Sequence, residues 1–234
     1  MKNLRNFIMA FVGFIAVAMC VTSCLSNEDD SLSQEEQKRY QQIVSGTKQG
    51  KIRFFRQQGT RAYNYQQTVV KYDSISTDWV VKADSFMYIN RFPVYALDSA
   101  IIVNKDATGA EADKYRSLNK AIRAMKGDYS NGYEKLEAMY AIPSKGWISD
   151  NYFQFMISPK TIERTINFDG ADHKVYFIFY SNNGGAFITS TQQYQASLIL
   201  YAICIDKPDI QNNAIPSKYF NFITITLEGK SMGF

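Results

Sequence analysis

Ser197-Leu-Ile-Leu-Tyr-Ala-Ile-Cys-Ile-Asp206 is the stretch on which the fold turns. Its apolar side chains occupy odd and even positions alike, so neither face of an extended strand is left for water. Branched and aromatic residues suit it to a pleated, packed surface. Extended back to Gln195, it predicts one long central strand, and Lys218 to Leu227 predicts another after the loop Pro208 to Pro216. Cys204 inside this run reads as a buried, inert thiol.

Upstream, period-2 alternation continues. Phe153, Phe155 and Ile157 share one face of a strand that begins after Trp147 and ends at Pro159. Thr161 to Phe168 and Lys174 to Tyr180 flank Asp169-Gly170, a dipeptide that tolerates the positive φ of a tight hairpin turn. Asn182-Asn-Gly-Gly185 predicts a second turn. Gly50 to Arg56 reads as a first strand, Tyr63 to Tyr72 as a polar edge strand, and Trp79 to Asn90 as two strands broken near Ala83 to Ser85. Tyr95 to Val103 reads as a further strand or an irregular descent.

Helical signals are fewer. Ser33 and Glu36 form a capping-box pair for a short helix ending at Gly46. The clearest helix covers 110–126, with Thr108 and Glu111 as its box, Tyr115, Leu118, Ile122 and Met125 on one face, and Gly127 as its stop. Its outer face carries Lys114, Arg116, Lys120, Arg123 and Lys126, which reads as a solvated face or as a contact for lipid headgroups or a polyanionic glycan. A second helix is expected over 132–141. The expected fold class is therefore mainly β (α+β): an antiparallel β-sandwich-like domain over 34–234, with a short N-terminal helix and an inserted helical hairpin.

The N-terminus follows another logic. Lys2 and Arg5 precede an apolar run from Phe7 to Met19, too short to span a hydrocarbon core of about 30 Å, so residues 1–23 read as a signal peptide. Val21-Thr-Ser-Cys24 resembles the lipobox of bacterial lipoproteins, which implies acylation at Cys24. Residues 24–33 then form a tether, and its Glu28-Asp29-Asp30 tract resembles the acidic export signal of Bacteroides-type lipoproteins. With the Tyr- and Phe-rich strands behind it, the chain resembles the uncharacterised outer-membrane lipoproteins of those bacteria, families mostly described as domains of unknown function. The resemblance implies an outer-membrane location, surface-exposed or periplasm-facing. Asp30-Ser31-Leu32, Asp73-Ser74-Ile75 and Asp98-Ser99-Ala100 resemble their O-glycosylation sequon, with Ser31, Ser74 and Ser99 as acceptors.

The remaining chemistry is sparse. Formal charge is +4 and falls to +2 once Lys2 and Arg5 leave, too mild a balance to point to nucleic acid. His173 is the single histidine, and Cys204 would be the single thiol left after Cys20 departs and Cys24 is acylated, so no multi-His or Cys-His zinc site can form. No Gly-rich phosphate loop and no calcium loop is present, and no cofactor is expected. The acids Glu111, Glu134, Glu137, Asp169 and Asp172 all have cap, turn or solvent roles. Three functions follow as expectations: a non-catalytic binding or surface module for a glycan or envelope protein, contacting it through loops and exposed aromatics, with Trp79, Trp147 and the many tyrosines read either as a sugar-stacking platform or, as strand aromatics more often are, as core; a fimbrillin-like subunit donating its C-terminal strand; or a hydrolase with paired carboxylates. Oligomeric state stays open.

Overall fold

The computed structural model describes residues 30–58, 66–69 and 74–232. Cys24, the signal peptide and most of the tether lie outside the described residues, as do much of the expected Tyr63 to Tyr72 strand and Phe234. From Leu32 onward the chain forms one compact unit.

Among the described residues twelve strands form one antiparallel sheet: β1 Gly46–Gln58, β2 Gln66–Val69, β3 Ile75–Val81, β4 Phe86–Pro93, β5 Tyr133–Ala141, β6 Ile148–Ser149, β7 Tyr152–Pro159, β8 Ile162–Phe168, β9 Ala171–Phe179, β10 Asn183–Ile188, β11 Gln193–Ile205 and β12 Ile223–Ser231. Eight of them close on themselves in the order β10-β7-β5-β4-β3-β1-β12-β11, with β11 returning to β10. The molecule is thus a closed eight-stranded barrel, and the sandwich expectation is corrected. Alternation looks the same in a sandwich wall and a barrel wall. The difference lies in one long-range pairing, β1 with β12 (Lys48↔Ser231 to Arg56↔Ile223), which joins the ends of a sheet that the local β10–β11 hairpin (Gly185↔Ala196 to Ile188↔Gln193) makes continuous.

Register places Lys48, Gly50, Ile52 and Phe54 of β1 on the inside, facing Ser231, Gly229, Leu227 and Ile225 of β12. An eight-stranded barrel is just wide enough to be filled by side chains. Trp79, Tyr194, Phe155, Phe187 and Met87, all essentially inaccessible, supply the bulk. Trp79 packs its ring 5.3 Å from Tyr194, and Phe155 lies at the same distance on the other side. The filling needs glycine opposite the rings: a Cβ on Gly185 would lie 2.2 Å from the Phe155 ring, and one on Gly229 would lie 2.6 Å from Trp79. On the outward face of the seam Gln49, Lys51, Arg53, Glu228 and Lys230 are polar and reach water, whereas Phe55, Thr224 and Thr226 on that face are buried.

Helix α1, Gln34–Val44, packs at the end of the barrel where β1 begins. Its Ser33–Glu36 capping box forms as expected, Gln41 donates to Ser85 Oγ at 2.6 Å, and Tyr40 meets Phe153. The other end holds a 3-10 segment, Val94–Ala100, where a strand or irregular descent was expected; only Ser99 in it is not fully buried. Helix α2, Ala110–Ala124, covers that segment and β8, burying Ala112, Tyr115, Leu118 and Ile122. Its N-cap is Gly109 at φ 102 with no side-chain cap, so the Thr108 box is not made.

Residues 132–141 are not a helix. They form β5, pairing with β4 on one edge and β7 on the other, with Leu136, Ala138 and Tyr140 inward and Met139 in solvent. Tyr-Glu-Lys-Leu-Glu-Ala-Met-Tyr is rich in helix formers, and two waiting strand edges override that propensity. Likewise Asn183 to Gly185, expected as a turn, starts β10, and the last strand begins at Ile223 because Lys218 to Asn221 remains loop. The Asp169-Gly170 turn is as expected, with φ values of 54 and 80.

Gly185→Ala is expected to lower stability by about 1–3 kcal/mol through overpacking against Phe155, read as a drop in the urea midpoint. Combining it with Phe155→Leu should cost less than the two changes summed. Strict additivity would show that the two positions do not compete for space.

Candidate functional site

β11 does two jobs. Gln193 to Leu200 builds the barrel wall with β12, and Leu200 to Ile205 carries the β9–β8 hairpin away from it. The changeover is a bulge: Leu200 pairs with Phe179 and Ala202 with Ile178, leaving Tyr201 as the extra residue. Bulges re-aim side chains and are frequent beside functional sites. Tyr201 points outward at 41% exposure between Tyr180 at 37% and Phe222 at 45%. Ring centroids run Tyr180–Tyr201 6.2 Å, Tyr201–Phe222 5.8 Å and Phe222–Phe220 5.6 Å. Four aromatic rings thus form a row from the end of β9 across the bulge of β11 to the start of β12, three of them substantially open to water.

The row leads into a second feature. Phe220 is bridged to Ile101, which with Ile102 and Val103 lines an open groove of about 530 Å³. Its rim carries Arg56, Lys105, Arg116, Lys120 and Arg123, with Asn119 among them. Two of these cations are held in place. Arg123 Nε donates to the buried Asp98 carboxylate at 2.7 Å and Nη2 to Asn119 Oδ1 at 2.8 Å. Asn119 in turn donates to the Asp98 carbonyl at 2.7 Å. Arg116 donates to Asp113 at 2.5 Å and to the carbonyls of Asn104 and Ala107. Arg56, Lys105 and Lys120 make no ion pair among the described residues.

The basic face read from the sequence is therefore partly gathered: Arg116, Lys120 and Arg123 line the groove, whereas Lys114 and Lys126 do not. Arg56 and Lys105 come from other segments and carry no local signal. Neither tryptophan builds the aromatic surface. Trp79 is buried in the barrel and Trp147 packs partly buried against the core. The row was hidden instead in the apolar run around Tyr201, whose phenol is the only polar tip in Leu198 to Ile205 besides the Cys204 thiol.

The remaining candidates have structural partners. Cys204 is fully buried, and desolvation pushes its thiol pKa up, with Asp209 adding to the shift. His173 Nδ1 meets Asp206 at 3.1 Å and its ring lies against Phe168. Glu111 pairs with Lys218, Glu134 with Arg164 and Glu137 with Lys160. Asp172 accepts from Asn167 at 2.6 Å. Among the described residues no three His, Cys, Asp or Glu side chains gather as a metal site. Ser31 is exposed, Ser74 is half-buried at φ 63, and Ser99 is half-buried between the buried Asp98 and Ala100.

Among the described residues Lys48 is the one fully buried cation, 1% exposed. Its ammonium donates to Ser45 O at 3.0 Å and Ser231 Oγ at 2.7 Å and lies 4.5 Å from the Phe187 ring centroid. It therefore joins the end of α1 to the end of β12. Desolvation lowers its pKa to about 8.

These features sit in a barrel with one recognisable lineage. The chain belongs to the family of domains of unknown function DUF4840, matched over residues 43–205. No match is found among curated proteins or among solved structures. The matched segment stops before β12, so the strand that closes the barrel lies beyond it.

Because Lys48 is depressed in the fold, the unfolded chain binds more protons between its folded and free pKa values. Stability relative to Lys48→Met is therefore expected to be lowest below pH 8 and to rise by about 3 kcal/mol up to about pH 10.5. Denaturant midpoints of both proteins across that range measure it. A difference that stays flat would show that Lys48 is not buried as a titrating cation.

Proposed function

We propose that this chain is a non-catalytic binding module, held at the outer membrane by a lipid on Cys24, whose aromatic row engages a glycan chain. The observation that carries the reading is the row itself. Three rings, each more than a third exposed and spaced at 5.8 and 6.2 Å, offer flat apolar faces, and Tyr180 and Tyr201 add phenolic tips. A contiguous exposed aromatic patch on a folded domain marks an interaction surface. Its rings are set by backbone that is itself fixed: Tyr180 N–H donates to Ile199 O at 2.9 Å, and Tyr201 is locked by the bulge.

The alternatives fare less well. A subunit that donates its last strand needs that strand unpaired, whereas β12 is hydrogen-bonded along both edges, to β1 and to β11. A carboxylate-based hydrolase needs two acids facing one cleft, whereas Glu111, Glu134 and Glu137 are paired with Lys218, Arg164 and Lys160, Asp172 accepts from Asn167, and Asp169 sits in a tight turn.

Two measurements test the reading. In cells given radiolabelled palmitate, the protein is expected to incorporate label and sediment with membranes. Cys24→Ala should lose both, and a variant that keeps the label would refute the anchor. In affinity gels cast with a panel of soluble polysaccharides, at least one should retard the protein. Tyr201→Ala with Phe222→Ala should weaken that binding at least about tenfold, which is about 1.4 kcal/mol, with the melting midpoint preserved. Retardation by none of the panel would overturn the glycan reading.

A further inference from the structure

We propose that the groove between α2 and the segment Ile101 to Val103 is an oxyanion site, and that it takes the sulfate or carboxylate groups of an acidic polysaccharide whose sugar rings lie on the aromatic row. The inference rests on the glycan reading above and adds the class of glycan.

Five cations face one concavity of about 530 Å³. Asp98 offsets Arg123 and Asp113 offsets Arg116, leaving Arg56, Lys105 and Lys120 without a carboxylate partner among the described residues. Gathering like charges into a concave, partly apolar site is unfavourable in the absence of counter-charge, and such a site concentrates anions because its walls focus the field. The two paired arginines are also pre-positioned. Arg123 is held through Asp98 and Asn119, and Arg116 through two backbone carbonyls, so neither side chain must be ordered when a ligand arrives. Guanidinium groups held this way suit the planar or tetrahedral oxygens of carboxylate and sulfate.

The geometry favours a glycan over a membrane surface. The cations ring a recess with Ile101 to Val103 in its lining, which admits a projecting group better than it meets a flat sheet of headgroups. The Ile101–Phe220 bridge also makes the groove continuous with the aromatic row, so one extended chain reaches both. Stacking would supply sequence-tolerant contact with the sugars, and the groove would select those that carry acid.

The full-length protein in detergent tests this with dextran sulfate, polygalacturonate, neutral dextran and vesicles containing an anionic phospholipid. Lys105→Glu with Lys120→Glu reverses charge at the groove. Lys38→Glu with Lys145→Glu makes the same net change on exposed residues at α1 and beside its Glu36. The acidic polymers are expected to bind, the groove variant to lose at least about tenfold in affinity and to show a shallower salt dependence, and the α1 variant to behave as the parent. Equal losses in both variants would reduce the effect to net charge and overturn the proposal. Neutral dextran bound as tightly as dextran sulfate, and sensitive to Tyr201→Ala, would overturn it while leaving the aromatic reading intact. Vesicle binding abolished at the groove, with no acidic polymer bound, would assign the site to lipid and overturn it too. Binding of no polysaccharide would remove both readings together.

Discussion

The barrel depends on one seam, the antiparallel pairing of β1 with β12. Nine register pairs from Lys48↔Ser231 to Arg56↔Ile223 join strands that begin 177 residues apart. Without that seam, β1 would end the sheet on one side and β12 on the other, each with a row of unsatisfied backbone groups. Closure removes both edges at once. It also creates the interior, since Ile52, Phe54, Ile225 and Leu227 face the same space only when this register holds. Gly229 then leaves room for the Trp79 indole, Gly50 opposite it lets the two backbones approach, and Lys48 ties the end of the seam to the cap of α1.

The exterior follows from how the seam meets β11. One half of β11 must stay in register with β12, and the other must support the β9–β8 hairpin on which α2 rests. The bulge at Tyr201 reconciles those two demands. It places an aromatic residue outside the wall where Tyr180 and Phe222 already lie. The groove is a product of the same layout, because α2 packs over the 3-10 segment and leaves its basic side against Ile101 to Val103 and Arg56. Both candidate surfaces thus arise where an appendage leaves the barrel.

What was legible in the sequence was local. Ser33 with Glu36 specified the start of α1, Asp169-Gly170 specified its hairpin, and the 3.6-residue spacing of Tyr115, Leu118 and Ile122 specified α2. Phe153, Phe155 and Ile157 were read onto one face and occupy it. What failed was decided at a distance. β5 is written in helix formers and is a strand only because β4 and β7 flank it. Closure itself is a pairing between the two ends of the chain, and alternation is silent on partners. Of the groove, the helix face was readable, whereas Arg56 and Lys105 join it only through tertiary packing. Tyr201 sat inside a run whose period suggested burial on both faces, and a single inserted residue turned it out.

That inserted residue has a consequence for how the surface can diversify. A side chain at a bulge belongs to neither the interior packing nor the regular ladder, so its identity is not constrained by the rings that fill the barrel. Position 201 can therefore be exchanged at little cost to the fold, and relatives sharing this barrel would be free to differ there.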